Sequence, residues 1–174
     1  MVALLVLLAS VVTILIALAF EHFGGYRPCQ LCGWQRYAYY FAIPATLAAL
    51  SPVGARWRRL PGLLLRCVTI AFAANALLAL YHSGVEWHWW AGPTSCGGTT
   101  VELSTSAGGM LESLENSRVI RCDEAPWRLA GLSFAGWNII VSAALGVLAL
   151  KASLQPLRSA GHAKFLKSSR DLHR

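Results

Sequence analysis

Cys29 and Cys32 stand in a Cys-x-x-Cys spacing, and Cys96 and Cys122 lie further along the chain; with Cys67 they are the side chains best equipped for chemistry. A thiol pair at this spacing can hold a metal, close as a structural disulfide, or cycle between dithiol and disulfide. Zinc usually takes two closely spaced pairs, whereas 25 residues separate Cys96 from Cys122, so a four-thiolate site is disfavoured and no metal is expected. The segment around the first pair reads Pro28-Cys29-Gln30-Leu31-Cys32-Gly33-Trp34-Gln35-Arg36. A helix starting here puts Cys32 near its N-terminus, where backbone dipoles favour a thiolate. Arg36 follows at i+4, a spacing that can bring its guanidinium beside the Cys32 sulfur. The same arginine also suits a membrane-edge anchor whose charge snorkels toward headgroups, and the residues alone leave both roles open.

The elements that must position these sulfurs are apolar. Of 174 residues, 56% are hydrophobic and 13% charged, far more apolar surface than a small soluble core can bury, so the fold class expected is an all-α membrane protein. The net charge of +7 does not imply nucleic acid as a partner, because the basic residues fall in short clusters between apolar runs. Four charge-free stretches predict the spans: Val2 to Phe20, Ala38 to Leu50, Cys67 to Tyr81 and Leu129 to Leu150. The first and last hold 19 and 22 residues, which as helix roughly matches a hydrocarbon core of about 30 Å. The middle two need their flanks, Gly33 to Tyr37 and Leu60 to Arg66, with Arg66 free to snorkel. Pro44 and Asn75 are expected to face the bundle interior. Ala17-Leu18-Ala19 resembles a signal-cleavage site, but no basic residue precedes the run and it is long for a signal core, so a retained first helix is expected.

Arg56, Arg58, Arg59 and Arg66 lie between the second and third spans, and Lys151, Arg158, Lys164, Lys167, Arg170 and Arg174 follow the fourth; together they are ten of the fifteen basic residues. The positive-inside tendency then places both termini in the cytoplasm and two loops outside, about Glu21 to Arg36 and about His82 to Arg128. One membrane domain over residues 1–151 and a basic cytoplasmic tail over 152–174, solvated or headgroup-associated, follow from this division. Met110, Leu111, Leu114 and Ser117 follow helical spacing and suggest a short amphipathic helix, or ordinary packing, in the long loop. Trp87, Trp89 and Trp90 read as an interfacial aromatic belt.

Four cysteines thus sit on the outer side, and Cys67, about 21 Å away along a helix, is expected to be a small buried apolar residue. The first pair lies where an outer loop meets hydrocarbon, so its natural electron acceptor is something dissolved in the bilayer. A quinone fits, as a lipid-soluble oxidant that takes the two electrons released when a dithiol closes.

Taken together, Pro-Cys-x-x-Cys-x-x-Gln-Arg at 28–36, Tyr81-His82, the Cys96 and Cys122 pair in one long loop, and Trp127 through Gly131 before the last helix resemble the DsbB family, disulfide bond formation protein B. The resemblance covers nearly the whole chain. It implies a four-transmembrane-helix bundle in the bacterial inner membrane, with two periplasmic loops and the active site on the periplasmic side. It also implies a relay from a reduced DsbA-like periplasmic protein to ubiquinone or menaquinone. On this resemblance Cys96 takes the partner's cysteine in a mixed disulfide and Cys122 exchanges with Cys29. Cys32 is left as a thiolate able to form a charge-transfer or covalent adduct with the quinone. Arg36 matches the family's quinone-site arginine, and His82 a quinone-side histidine. His22 and His88 are expected to be bystanders, and Gln35 stands where some relatives carry an acid. Gly92, Pro93, Gly97 and Gly98 around Cys96 suit a cysteine that must enter a groove on another protein. The alternatives are a same-fold paralogue for a dedicated substrate, a vitamin K epoxide reductase-like enzyme, disfavoured because its loop cysteines precede the CxxC, and a non-catalytic scaffold with two structural disulfides.

Overall fold

A computed structural model of the chain describes residues 1–26, 28–51, 57, 59–93, 122–123, 125 and 127–154. Among these are four helices, α1 (Val2–His22), α2 (Gln30–Leu50), α3 (Leu60–Glu86) and α4 (Phe134–Leu154), and a hairpin of β1 (Arg128–Leu129) and β2 (Leu132–Ser133). By length and composition α1, α3 and α4 are able to cross a membrane. α2 is as long as α1 but carries Gln30, Gln35, Arg36 and three tyrosines in its first half.

The helices run alternately up and down. One buried cluster joins Ala3 at the start of α1, Ala49 near the end of α2, Leu65 near the start of α3 and Ala152 near the end of α4. Only antiparallel neighbours bring those four positions to one end, so the start of α1 and the end of α4 lie together and the CxxC lies at the opposite end. α1 and α3 each pack against both α2 and α4. Mid-bundle, Val6, Ile14, Tyr39, Ala42, Ala45, Val68, Phe72, Leu145 and Ala149 form the core. Small residues let the helices approach closely where lipid offers no hydrophobic drive: a Cβ added to Gly146 would already stand 3.5 Å from Phe72 Cβ. Leu4, Leu8, Leu15, Ile70, Leu77 and Val147 point outward and exposed, as a lipid-facing surface requires.

Several boundaries differ from those the charge-free runs predict. α4 starts at Phe134 rather than Leu129, because Ala130 (φ 53°) and Gly131 (φ 82°) both adopt the left-handed conformation and turn the chain into an antiparallel hairpin. Ser133 then caps the helix, its Oγ accepting from the Gly136 N–H at 3.2 Å. α3 begins with Pro61 in its first turn and runs on through His82 to Glu86, so neither residue belongs to a loop. α1 likewise takes in Glu21 and His22, which leaves the short connection only residues 23–29.

Asn75 is buried as expected, its Nδ2 donating to Ser142 Oγ at 2.9 Å. Pro44 is not: it sits on the exposed face of α2, beside exposed Phe41 and Leu47. A pyrrolidine ring is apolar and brings no unpaired N–H into lipid, which makes the outward face acceptable for it. Cys67 is half-buried and lies near the start of α3, far along the chain from the CxxC end. Cys96, the segment around Met110 and the tail after Leu154 lie outside the described residues.

Candidate functional site

The CxxC end of the bundle is built by the start of α2. Cys29 is the N-cap: its backbone is extended, and its Sγ accepts the Cys32 N–H at 3.3 Å, satisfying one of the amides that a helix start leaves without a partner. The expectation that a helix begins at the motif therefore holds. Capping brings the two sulfurs to 3.1 Å, with the Cys29 thiol donating to Cys32 Sγ. That polarity keeps the proton on Cys29. The Cys29 thiol is accordingly pushed up to about 12, first by this hydrogen bond and then by burial, while a hydrogen bond with His82 works the other way. Cys29 is buried, whereas Cys32 is partly exposed.

α3 supplies the next layer. His82 is 2% exposed, with Nε2 3.6 Å from Cys29 Sγ and 3.8 Å from Glu86 Oε1. Glu86, one turn on, is 5% exposed, and its Oε2 accepts from the Ser133 hydroxyl of the hairpin. A carboxylate this deep needs such partners, since an unpaired buried charge would cost several kcal/mol by order of magnitude. On its other side the ring is held by α2: Gln35 Nε2 donates to His82 Nδ1 at 2.9 Å. Gln35 Oε1 in turn accepts from Asn138 Nδ2 at 2.6 Å, and Asn138 Oδ1 accepts from the Tyr39 and Ser142 hydroxyls. A polar chain thus runs from the dithiol through His82, Gln35 and Asn138 to Ser142 and Asn75, crossing from α3 to α2 to α4 and back to α3.

Cys122 completes the sulfur cluster. It is 3% exposed and packs with Cys29, Leu31 and Val85, with Cys32 and Leu78 against the same group. The loop cysteine is therefore brought from 90 residues downstream of Cys32 to the side of the CxxC.

Cys29 Sγ, Cys32 Sγ and a His82 ring nitrogen all lie within 4.8 Å of one another, a spacing that could serve a metal ion. The hydrogen-bond polarity argues against that use. Gln35 Nε2 can only donate, so Nδ1 is left to accept, and a neutral ring that accepts there carries its proton on Nε2 and turns an N–H rather than a lone pair toward the sulfurs.

Arg36 donates to Glu21 Oε2 at 2.5 Å, an ion pair tying α2 to α1 at this end. Its described partner is thus a carboxylate of another helix, which the i+4 argument could not foresee. His22 and His88 are exposed. Reading the sequence missed Glu86, Gln35's contact with the ring, and Asn138. The i,i+4 spacing of His82 and Glu86 at the end of an apolar helix was the available signal for the first.

The chain resembles known proteins over almost its entire length. The family model described as "Disulfide bond formation protein DsbB" matches residues 1–152. Among curated proteins, a disulfide bond formation protein B of Verminephrobacter eiseniae is 30% identical over 165 residues, covering 90% of this chain and 86% of that protein. Proteins of the same name from Polaromonas sp. and Polaromonas naphthalenivorans are each 28% identical over 160 residues, covering 84% of this chain and 85% and 86% of theirs. No solved structure gives a significant match. With a CxxC capping one helix, a third buried cysteine against it and the family model matching all four helices up to Ala152, the chain belongs to the DsbB family of membrane disulfide-generating oxidoreductases.

Proposed function

We propose that this protein reoxidises a DsbA-like periplasmic dithiol protein and passes the two electrons, through Cys96/Cys122 and then Cys29/Cys32, to a quinone in the bacterial inner membrane. The observation that carries the reading is the burial of Cys122 against Cys29 and Cys32, which an electron relay between two cysteine pairs requires and two independent structural staples do not.

Each step is thiol–disulfide exchange. A partner thiolate attacks Cys96 of a Cys96–Cys122 disulfide, and the electron pair of the broken bond leaves on Cys122. The Cys122 thiolate attacks Cys29 of the Cys29–Cys32 disulfide, forming Cys29–Cys122 and releasing Cys32 as thiolate. Cys32 is suited to that role on two counts: it takes the hydrogen bond from Cys29 in the dithiol state, and it alone of Cys29, Cys32, His82 and Cys122 is partly exposed. The partner's second cysteine then releases Cys96, whose return to Cys122 frees Cys29. Once the Cys32 sulfur is committed to an acceptor, the largest cause holding the proton on Cys29 is gone, and the His82 N–H favours the Cys29 thiolate that must close the disulfide.

A quinone supplies a two-electron, lipid-soluble oxidant. The site fits such an acceptor, since the partly exposed Cys32 sulfur lies one helical turn from Arg36. Arg36 is the residue proposed to hold it, while His82, buried with Nδ1 facing Gln35 and Nε2 facing Cys29, is proposed to act on the Cys29 sulfur rather than on the quinone. The basic residues between α2 and α3 and after α4 support a cytoplasmic location for the opposite end, and hence the reading that the active end faces the periplasm.

The test is stopped-flow quinone reduction by the purified full-length protein with a reduced DsbA-like thiol protein. Turnover is expected in the wild type and none in Cys32→Ser. Unchanged turnover in that variant eliminates the relay.

A further inference from the structure

The polar chain behind His82 has a direction, and the direction decides what the ring can do. Asn75 Nδ2 donates to Ser142 Oγ, the Ser142 and Tyr39 hydroxyls donate to Asn138 Oδ1, Asn138 Nδ2 donates to Gln35 Oε1, and Gln35 Nε2 donates to His82 Nδ1. An amide cannot present oxygen and nitrogen on the same side. With its oxygen claimed by Asn138, Gln35 must offer N–H to the ring, and a ring nitrogen that accepts cannot also carry a proton.

We propose that Gln35, oriented by Asn138, is a positioning residue that locks His82 as an Nε2–H donor aimed at Cys29 Sγ. The inference rests on the relay reading for its consequence, though not for its geometry. In the step that frees Cys29, a thiolate attacks Cys122, the Cys29–Cys122 bond breaks, and the electron pair goes to Cys29. A locked N–H meets that developing charge with a ready hydrogen bond, and no proton is transferred. A ring in the other tautomer would present a lone pair to the anion and repel it. Glu86, near the same nitrogen, and Cys32 and Cys122, beside Cys29, are the other ionisable groups facing the pair, and each is itself an anion or able to become one. The N–H is thus a side-chain donor aimed at Cys29, alongside the backbone amide of Cys32. Burial of the ring keeps water from supplying an alternative donor.

Changes beside the ring and one bond further away should both undo the lock. Gln35→Glu keeps an acceptor for Asn138 but offers the ring a second acceptor, so the ring proton moves to Nδ1. Asn138→Asp acts from the remote position: the new carboxylate cannot donate to Gln35, the Gln35 amide turns its N–H toward that carboxylate and its oxygen toward the ring, and the proton moves to Nδ1 again.

The experiment is nitrogen-15 NMR of the reduced full-length protein with labelled histidine, the His82 signal assigned by its loss in His82→Asn. Wild type is expected to show a protonated Nε2 and bare Nδ1, with the pattern reversed in both variants. A wild-type ring protonated at Nδ1, or variants that fold but leave the tautomer unchanged, overturns the lock. Partner-dependent quinone reduction should fall about tenfold in the variants, the scale of a hydrogen bond to a charged sulfur. A reversed tautomer with full turnover overturns the role assigned to the lock in the relay. Absence of turnover in the wild type would instead sink the relay, with the tautomer result still deciding the lock.

Discussion

In the fully reduced protein, Cys29 and Cys32 should differ in reactivity far more than their separation of three residues suggests. Cys29 is moved from an ordinary 9.0 to about 12, so at neutral pH its thiolate fraction is lower by about three powers of ten. The sign is that of a proton held too tightly: reactivity should climb about tenfold per pH unit from 7 to 10 without levelling off, because the proton is released only near 12. Restricted access of the reagent to buried Cys29 also slows attack, but it scales the rate at every pH, whereas the hydrogen bond and desolvation together set the midpoint, so the profile separates access from the raised pKa. The assay is alkylation with iodoacetamide over that range, quenched at short times and read by tandem mass spectrometry. Initial rates are needed, since capping Cys32 removes the partner that holds the Cys29 proton. Cys32 is expected to be labelled first. In Cys32→Ala the largest cause of the rise is absent and the His82 hydrogen bond remains, so the Cys29 profile should move to lower pH. Equal rates for the two cysteines, a Cys29 profile that levels off near 9, or an unmoved profile in Cys32→Ala would each refute the reasoning.

Two further outcomes follow from the bundle's polar contacts. Asn75→Leu should lower stability by about 1 kcal/mol, because a buried amide loses its bond to Ser142 and a branched chain must fit an occupied space, whereas a lipid-facing Asn75 would make the change favourable; thermal unfolding in detergent distinguishes the two. Glu21→Gln releases Arg36 from its ion pair, and if that arginine holds quinone, the apparent quinone KM should shift several-fold with little change in kcat; an unaltered KM returns Arg36 to an anchor between α1 and α2.

Much of the bundle could be read from charge-free runs, because lipid-facing helices tolerate few charges and two of the four runs are long enough to span alone. The same rule misjudged the ends of α3 and α4 for opposite reasons. At α3 it stopped before His82 and Glu86, although a helix can carry both when they are buried against each other and against Ser133. At α4 it ran through Ala130 and Gly131, which are uncharged but take a backbone conformation no helix accommodates. Arg36 shows a third limit: spacing within a helix lists the neighbours on that helix, while its partner, Glu21, comes from another.

These misses share a cause that bears on how the site works. A polar residue read along one run looks like a boundary, yet Gln35, His82, Glu86 and Asn138 find partners in one another and in Tyr39, Ser133 and Ser142, across α2, α3, α4 and the hairpin. Apart from the His82–Glu86 contact within α3, these pairings exist only once the helices have packed, so the setting of the Cys29–Cys32 pair beyond its own hydrogen bond is a property of the assembled bundle. The motif supplies the sulfurs and the helix start that brings them together. It does not supply the ring, which comes from 50 residues after Cys32, or the amide chain that fixes the ring's proton. A change at Asn138 or Asn75 should therefore reach the chemistry through side chains that touch no sulfur, which ties the redox site to the packing of the bundle that carries it.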